Sequence, residues 1–220
     1  YEGVFADLDL MPSTRLSLAR MGINTPTPIQ QATIPLLQDG YDIIGQARTG
    51  SGKTLAFAIP IVEKSDPTVK SVQSIILAPT RELAIQIADV VRPLADRRSL
   101  KVTLVYGGHS KAPEKKILYR GPQIVIGTPG RMLDHIKEGN LVAKNLKMLV
   151  LDEADEMLNM GFKDDLDTIL SETPEQKQSL LFSATMPKEV LRITKNYMHS
   201  AKQIEVASRN EGAEHVEHHY

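Results

Sequence analysis

The chain of 220 residues has no cysteine at all. That excludes disulfides and thiolate metal sites and favours a reducing compartment, so a cytoplasmic location is expected. Long apolar runs are missing too. No stretch approaches the length of a membrane span and no signal-peptide pattern opens the chain, so no membrane partner is expected. An excess of one charge is also lacking: 26 Lys and Arg stand against 27 Asp and Glu, a formal net charge of -1. A tight, purely electrostatic nucleic-acid binder is usually more basic. Any such contact must therefore use a local patch, backbone amides and helix ends. There is no internal repeat and no low-complexity tract. His215, His218 and His219 in "EHVEHH" fit no standard zinc spacing.

What is present is an ordinary globular composition, 41% hydrophobic and 24% charged, long enough for one large domain with a substantial core. Short runs rich in Ile, Val and Leu alternate with longer helical patterns. "YDIIGQ" precedes "KTLAFAIPIVEK", "SIILAPT" precedes "RELAIQIADVVRPLA", and "KVTLVYGG" precedes "APEKKILYR". "QIVIGTPG" then precedes "RMLDHIKEG", "MLVLDEA" precedes "DEMLNMGFKDDLDTILSE", "SLLFSAT" precedes "PKEVLRITKNYM", and "KQIEV" closes the series. Near-continuous apolar runs are what strands buried on both faces look like. Their alternation with helices predicts an α/β fold: a doubly wound, mostly parallel sheet flanked by helices. Residues just after the strands then gather along one sheet edge, where such folds bind ligands. The charged runs "KAPEKK" (Lys111 to Lys116) and "DRR" (Asp96 to Arg98) read as solvated surface. Met157 and Met160 read as packing residues.

Two of these strand ends carry chemistry. "ARTGSGKT" fits the phosphate-loop pattern, with Ala47 where the strict motif has Gly. Here Thr49, Gly50, Ser51 and Gly52 would turn backbone N–H groups around an oxyanion, at the positive end of a helix. Lys53 would reach the β and γ phosphates, and the Thr54 hydroxyl would ligate Mg²⁺. The second is "LVLDEADEML". Carboxylates at a buried strand end are costly, and a dication carrying phosphate explains them. Asp152 would hold Mg²⁺, directly or through water, and Glu153 would orient or deprotonate the attacking water. ATP and Mg²⁺ are thus the expected cofactors.

With these motifs in this order, the chain resembles the DEAD-box family of ATP-dependent RNA helicases over nearly its whole length. The letters at Asp152, Glu153, Ala154 and Asp155 are the family's name. "GINTPTPIQ" resembles its adenine-reading Q motif. "PTRELA", the pair Gly107 and Gly108, and "TPGR" resemble its RNA-contacting motifs, and "SAT" resembles the motif coupling ATP to RNA. The resemblance implies a RecA-like domain in which Gln30 pairs with adenine, presented by a loop that Pro26 and Pro28 stiffen, with Thr25 adding a backbone contact. Phe5, at the family's upstream aromatic position, either stacks on the base or staples the N-terminus to the domain. Pro79, Thr80 and Arg81, with Thr128, Gly130 and Arg131, form two helix starts that track RNA phosphates without reading bases; Gly107 and Gly108 let a backbone approach. Each taken singly also reads as a cap or turn. The Ser183 and Thr185 hydroxyls bond Asp155 or cap the following helix.

The departures are Ile23 for the usual Phe, Arg48 at a variable site, and the absence of any "HRIGR"-like stretch. Family members carry a second RecA-like domain whose arginines complete both sites. We therefore expect residues 1–207 to be the N-terminal domain and 208–220 the linker and start of the next. On this reading the chain is a monomer that binds nucleotide with little turnover. A DNA helicase, a GTPase and a non-catalytic binding module are the alternatives.

Overall fold

A computed structural model describes residues 5–48, 50–206 and 216–219, with Ala6 and 216–219 described by backbone alone. Seven parallel strands form one sheet, with an eighth strand added antiparallel at its edge, in the order β3-β4-β2-β5-β6-β1-β7-β8. The strands are β1 (Ile43–Gln46), β2 (Ser74–Leu77), β3 (Val102–Val105), β4 (Ile124–Gly127), β5 (Met148–Leu151), β6 (Gln178–Ser183), β7 (Lys202–Val206) and β8 (Val216–His219). Every residue of β2, β4, β5 and β6 is buried, as their apolar runs require, while β3 at the edge alternates.

Helices cover both faces. On one lie α1 (Pro12–Arg20), α2 (Pro28–Gln38), α3 (Lys53–Lys64) and α4 (Arg81–Asp96), sharing a core with Ile76, Ile126, Val150 and Phe182. On the other lie α5 (Ala112–Tyr119), α6 (Pro129–Lys137), α7 (Ala154–Asn159), α8 (Lys163–Glu172) and α9 (Lys188–Tyr197), packed on Leu77, Val125, Leu149 and Leu181. The strand alternation of inward side chains thus feeds two separate apolar layers. Phe182 is wedged between Phe57, with ring centroids 5.7 Å apart, and Gly45, where a Cβ would come within 2.6 Å of the ring.

Four features differ from the sequence expectation. The helical pattern after Asp155 is two helices, α7 and α8, because Gly161 turns the chain at φ 90°. The segment holding Pro28 and Gln30 is the first turn of α2, not a loop; Pro at a helix start costs no hydrogen bond. Residues 216–219, within the stretch expected to be the linker and the start of the next domain, pair with β7. Neither charged run is simply solvated. Arg98 inserts its guanidinium against the carbonyls of Val62, Glu63 and Ser65, and Glu114 is buried.

Candidate functional site

The site is built on the C-terminal ends of β1, β5 and β6, which are neighbours in the sheet. After β1 the chain turns through Gly50 (φ 86°) and Gly52 (φ 84°) into α3, which starts at Lys53. These angles suit glycine, and at Gly52 the space is also taken: a Cβ would lie 2.6 Å from Gln30 Nε2 and 2.7 Å from Thr27 Oγ1. Gln30 Nε2 donates to the Gly52 carbonyl at 2.9 Å, and its Oε1 accepts from the Thr27 N–H at 2.9 Å. Gln30 therefore braces the glycine turn from α2. One N–H and one lone pair of its amide remain for another partner. Thr49 lies outside the described residues. Thr54 is partly buried on the first turn of α3.

Lys53 is buried and its Nζ lies 2.9 Å from Asp152 Oδ1 and 4.0 Å from Glu153 Oε2. Asp152 is 0% exposed, and among the described residues neither carboxylate oxygen accepts a well-formed hydrogen bond. Burial pushes its carboxyl up, against the pull of the Lys53 ammonium. Glu153, which starts α7, sits in the left-handed region at φ 52° and ψ 54°, a strained conformation for a side-chain-bearing residue. Burial raises its carboxyl as well; Lys53 opposes this and Asp152 adds to it. The buried Ser51 hydroxyl also has no partner among the described residues. A buried carboxylate with a lysine as its one charged partner among the described residues, an orphaned hydroxyl and a glycine-turned helix start are the set that a cation-bound polyphosphate satisfies, so the residues present fit ATP and Mg²⁺.

Asp155 faces β6. Its Oδ2 accepts from the Thr185 hydroxyl at 2.8 Å and the Thr185 N–H at 3.1 Å. Burial works to raise this carboxyl, but the hydrogen bonds from Thr185, Ser183 and the Glu156 N–H together outweigh it and hold it below the usual carboxylate range. The Ser183 hydroxyl bonds Asp155 as well, accepting from its backbone N–H at 3.2 Å, and donates to the Thr185 carbonyl at 2.6 Å. The Ala47 N–H reaches the Ser183 carbonyl at 3.2 Å, so the start of the phosphate loop and the "SAT" turn are directly joined.

A cleft of about 330 Å³ opens from Lys53 and Glu153 towards Pro79 and Thr80 at the end of β2, with Met160 on its wall. Met160 is 51% exposed and is no core residue, unlike the fully buried Met157. Beyond the cleft lie the other strand ends. Thr80 caps α4 by accepting from the Leu83 N–H at 3.2 Å. Exposed Arg81 lies 4.8 Å over the Tyr106 ring. Gly107 and Gly108 are exposed, and a Cβ at either would meet nothing. Thr128 and Gly130 open α6, partly exposed.

Two of the expected ligand residues are engaged within the protein. Arg131 does not offer its charge to solvent. Its Nη1 donates to Glu114 Oε1 at 2.9 Å and its Nη2 to the His109 carbonyl at 2.7 Å, tying α6 to the Gly107–Gly108 turn. Phe5 is 5% exposed in the core, with its N–H on the Asn24 carbonyl, so the ring is a staple with no face free for a base. Thr25 is exposed. His215 lies outside the described residues, and no cluster of metal-ligating side chains occurs among those described.

Sequence reasoning missed Glu114. It accepts from the Tyr106 N–H at 3.0 Å, from Arg131, and from His135 Nε2 at 2.7 Å, with His109 Nε2 at 3.0 Å. Asn140 Nδ2 lies 3.1 Å from His135 Nδ1, which makes Nε2 the donating nitrogen. The signal was its place one turn before buried Leu118 on α5.

A family model described as DEAD/DEAH box helicase matches residues 27–193. The chain belongs to the DEAD/DEAH box helicase family. It is 48% identical over 205 residues to the ATP-dependent RNA helicase CshA of Listeria monocytogenes, covering 93% of this chain and 39% of that protein. It is 46% identical over 209 residues to the ATP-dependent RNA helicase DeaD of Escherichia coli, covering 94% of this chain and 33% of that protein. The fold matches the crystal structure of a DEAD box protein from Methanococcus jannaschii with a TM-score of 0.90 and 47% identity, over 96% of this chain and 58% of that one. This DEAD/DEAH box chain thus spans between a third and two fifths of the two helicases' length. The fold is the RecA-like one expected. No described helix is long and apolar enough to cross a membrane.

Proposed function

We propose that this chain is the ATP- and RNA-binding N-terminal domain of an ATP-dependent RNA helicase of the cytoplasm, working with a second RecA-like domain. The observation that carries the reading is Asp152, a fully buried carboxylate at a strand end whose one charged partner among the described residues is Lys53, 2.9 Å from Oδ1. Bound Mg²⁺, held by Asp152 and Thr54, would neutralise phosphate charge during transfer. Lys53 and the α3 start hold the β and γ phosphates. Glu153, beside Lys53 and with its carboxyl raised by burial, takes or orients the proton of the attacking water; a raised carboxyl is a better base for that task. The second donor and acceptor of Gln30 match adenine, whereas guanine shows two acceptors there.

Asp155, Ser183 and Thr185 couple this chemistry to RNA. Pro79, Thr80, Arg81, Gly107, Gly108, Thr128 and Gly130 contact the RNA backbone without reading sequence. Arg131 supports that surface from behind. The whole protein would couple hydrolysis to local duplex separation or ribonucleoprotein remodelling. An arginine supplied from outside an NTPase site is worth about 10³–10⁵ in rate, so this chain alone, as a monomer, should bind ADP and ATP with hydrolysis near background. Steady-state ATPase of the chain and of the whole protein, with single-stranded RNA, with DNA and with GTP as competitor, tests this. RNA stimulation of the whole protein alone is the expected result. Stimulation of the 220-residue chain would show its site to be self-sufficient, and GTP competing as well as ADP would remove Gln30 from base choice.

A further inference from the structure

Between His109 and Gly121 the chain carries Lys111, Lys115, Lys116 and Arg120 against one acid, Glu114, in a protein whose net charge is only -1. Glu114 is buried and turned to Arg131 and His135, so it offers no negative charge to solvent. Lys111 at the head of α5 is engaged by Glu138 at 2.9 Å and Asp134 at 3.9 Å. Lys115, Lys116 and Arg120 are exposed and have no ion-pair partner among the described residues, although Glu138 senses Lys115. Among them stands Tyr119, 92% exposed. Lysines on a surface helix can be there for solubility alone. The Tyr119 ring, held almost wholly in water, packs on no core residue and has both faces open to a stacking partner.

Helical spacing puts Lys115 and Tyr119 one turn apart on one line, flanking the face that buries Glu114 and Leu118, and Lys116 and the capping residue Arg120 on the next, opposite that face. The helix starts just after Gly107 and Gly108 and runs back along edge strand β3 for about 12 Å. A basic line ending on a free aromatic face is the chemistry that holds single-stranded nucleic acid, with cations on phosphates and a base stacked on the ring.

We propose that Lys115, Lys116, Tyr119 and Arg120 form a second single-stranded RNA contact, continuing the candidate track beyond Gly107 and Gly108 along α5. The inference rests on the RNA-binding reading above. It makes the bound strand longer than the helix-start motifs alone would hold, still without sequence preference.

The test is fluorescence anisotropy with the whole protein and two oligouridines, one only long enough for the track from Thr80 to Thr128 and one extended. The triple substitution Lys115→Ala, Lys116→Ala, Arg120→Ala should weaken the extended RNA about tenfold or more and cut its log–log salt slope by about two units, at roughly 0.7 per phosphate contact. Tyr119→Ala should lose about tenfold on the extended RNA, and Tyr119→Phe should retain wild-type affinity because a base stacks on either ring. The short RNA should bind all variants alike. All four side chains are exposed, so thermal unfolding checks that the fold is intact. Equal affinity of wild type and variants for the extended RNA overturns the proposal, as does an equal loss on both RNAs. If the wild type binds neither RNA, the RNA-binding reading itself fails and this contact with it.

Discussion

Two buried carboxylates in this molecule are treated in opposite ways. Glu114, 3% exposed, is surrounded by the Arg131 guanidinium, the His135 and His109 rings and the Tyr106 N–H. Asp152, 0% exposed, has the Lys53 ammonium beside one oxygen and no well-formed hydrogen bond to either among the described residues. Burying a charge is tolerable when it is paired and bonded, and costly when it is not. Glu114 is therefore a structural clamp that fixes the Gly107–Gly108 turn against α6. Asp152 is held in place by its strand while its oxygens remain unspent. The backbones agree. Glu153, next to Asp152, is held at φ 52°, while Arg131 lies in the regular first turn of α6. The contrast between satisfied and unsatisfied burial separates what holds the fold from what awaits a ligand.

The largest effect is expected on the unsatisfied side. In the whole protein, Glu153→Gln should lower steady-state ATP turnover by about 10²–10⁴-fold, the scale of a lost general base, with nucleotide affinity close to wild type. The amide keeps the size of the side chain but cannot take a proton from water. If turnover survives, the strain at Glu153 serves something other than the water, and the comparison loses its chemical half.

On the satisfied side the loss should fall on stability. Glu114→Ala leaves a guanidinium and an imidazole buried without their acceptor and should destabilise the domain by about 3–5 kcal/mol. Glu114→Gln, which keeps an acceptor, should cost less. Urea denaturation of both variants measures this, with ADP affinity as the control that should not move. Were Glu114→Ala as stable as the wild type, the clamp would be an accident of packing.

How much of this was legible beforehand differs between the two regions for a physical reason. The nucleotide side is written in contiguous letters, because a phosphate cradle is made by one strand, one turn and one helix. "TGSGKT" and "DEAD" each carry their own geometry, and the seven strand runs place them along one edge of the sheet. The clamp is assembled from four segments, at Tyr106, Glu114, Arg131 and Asn140, and no single stretch records it. Glu114 hid inside "KAPEKK" because a run of charges reads as solvated unless the helical phase relating it to Leu118 is followed. Arg131 was assigned to RNA because charge at a helix start suggests phosphate, and only the packing of α6 against the Gly107–Gly108 turn shows the charge already used. Gln30 was placed on a loop because Pro26 and Pro28 read as breakers, whereas Pro28 opens α2.

The smallest expected effect is also the most direct probe of the contrast. Asp152→Asn removes a buried charge yet keeps an oxygen facing Lys53, which also has Glu153 Oε2 at 4.0 Å. Replacing a whole buried ion pair by apolar residues is often neutral or stabilising, but removing the charge of one partner alone leaves the other poorly compensated and costs about 3–5 kcal/mol in full. Here Lys53 stays charged but keeps the amide oxygen and Glu153, so the loss should fall well below that. Without nucleotide, the variant should melt about 2–4 °C lower than the wild type, which is the shift for roughly 1 kcal/mol in a domain of this size. The ligand response should fall as well. Wild-type protein with ADP should gain further thermal stability when Mg²⁺ is added, and Asp152→Asn should gain little or none, because the group that would hold the ion is gone. A variant that melts as far below the wild type as Glu114→Ala without ligand, yet still responds fully to Mg²⁺, would mean that Asp152 belongs with Glu114 as a structural carboxylate.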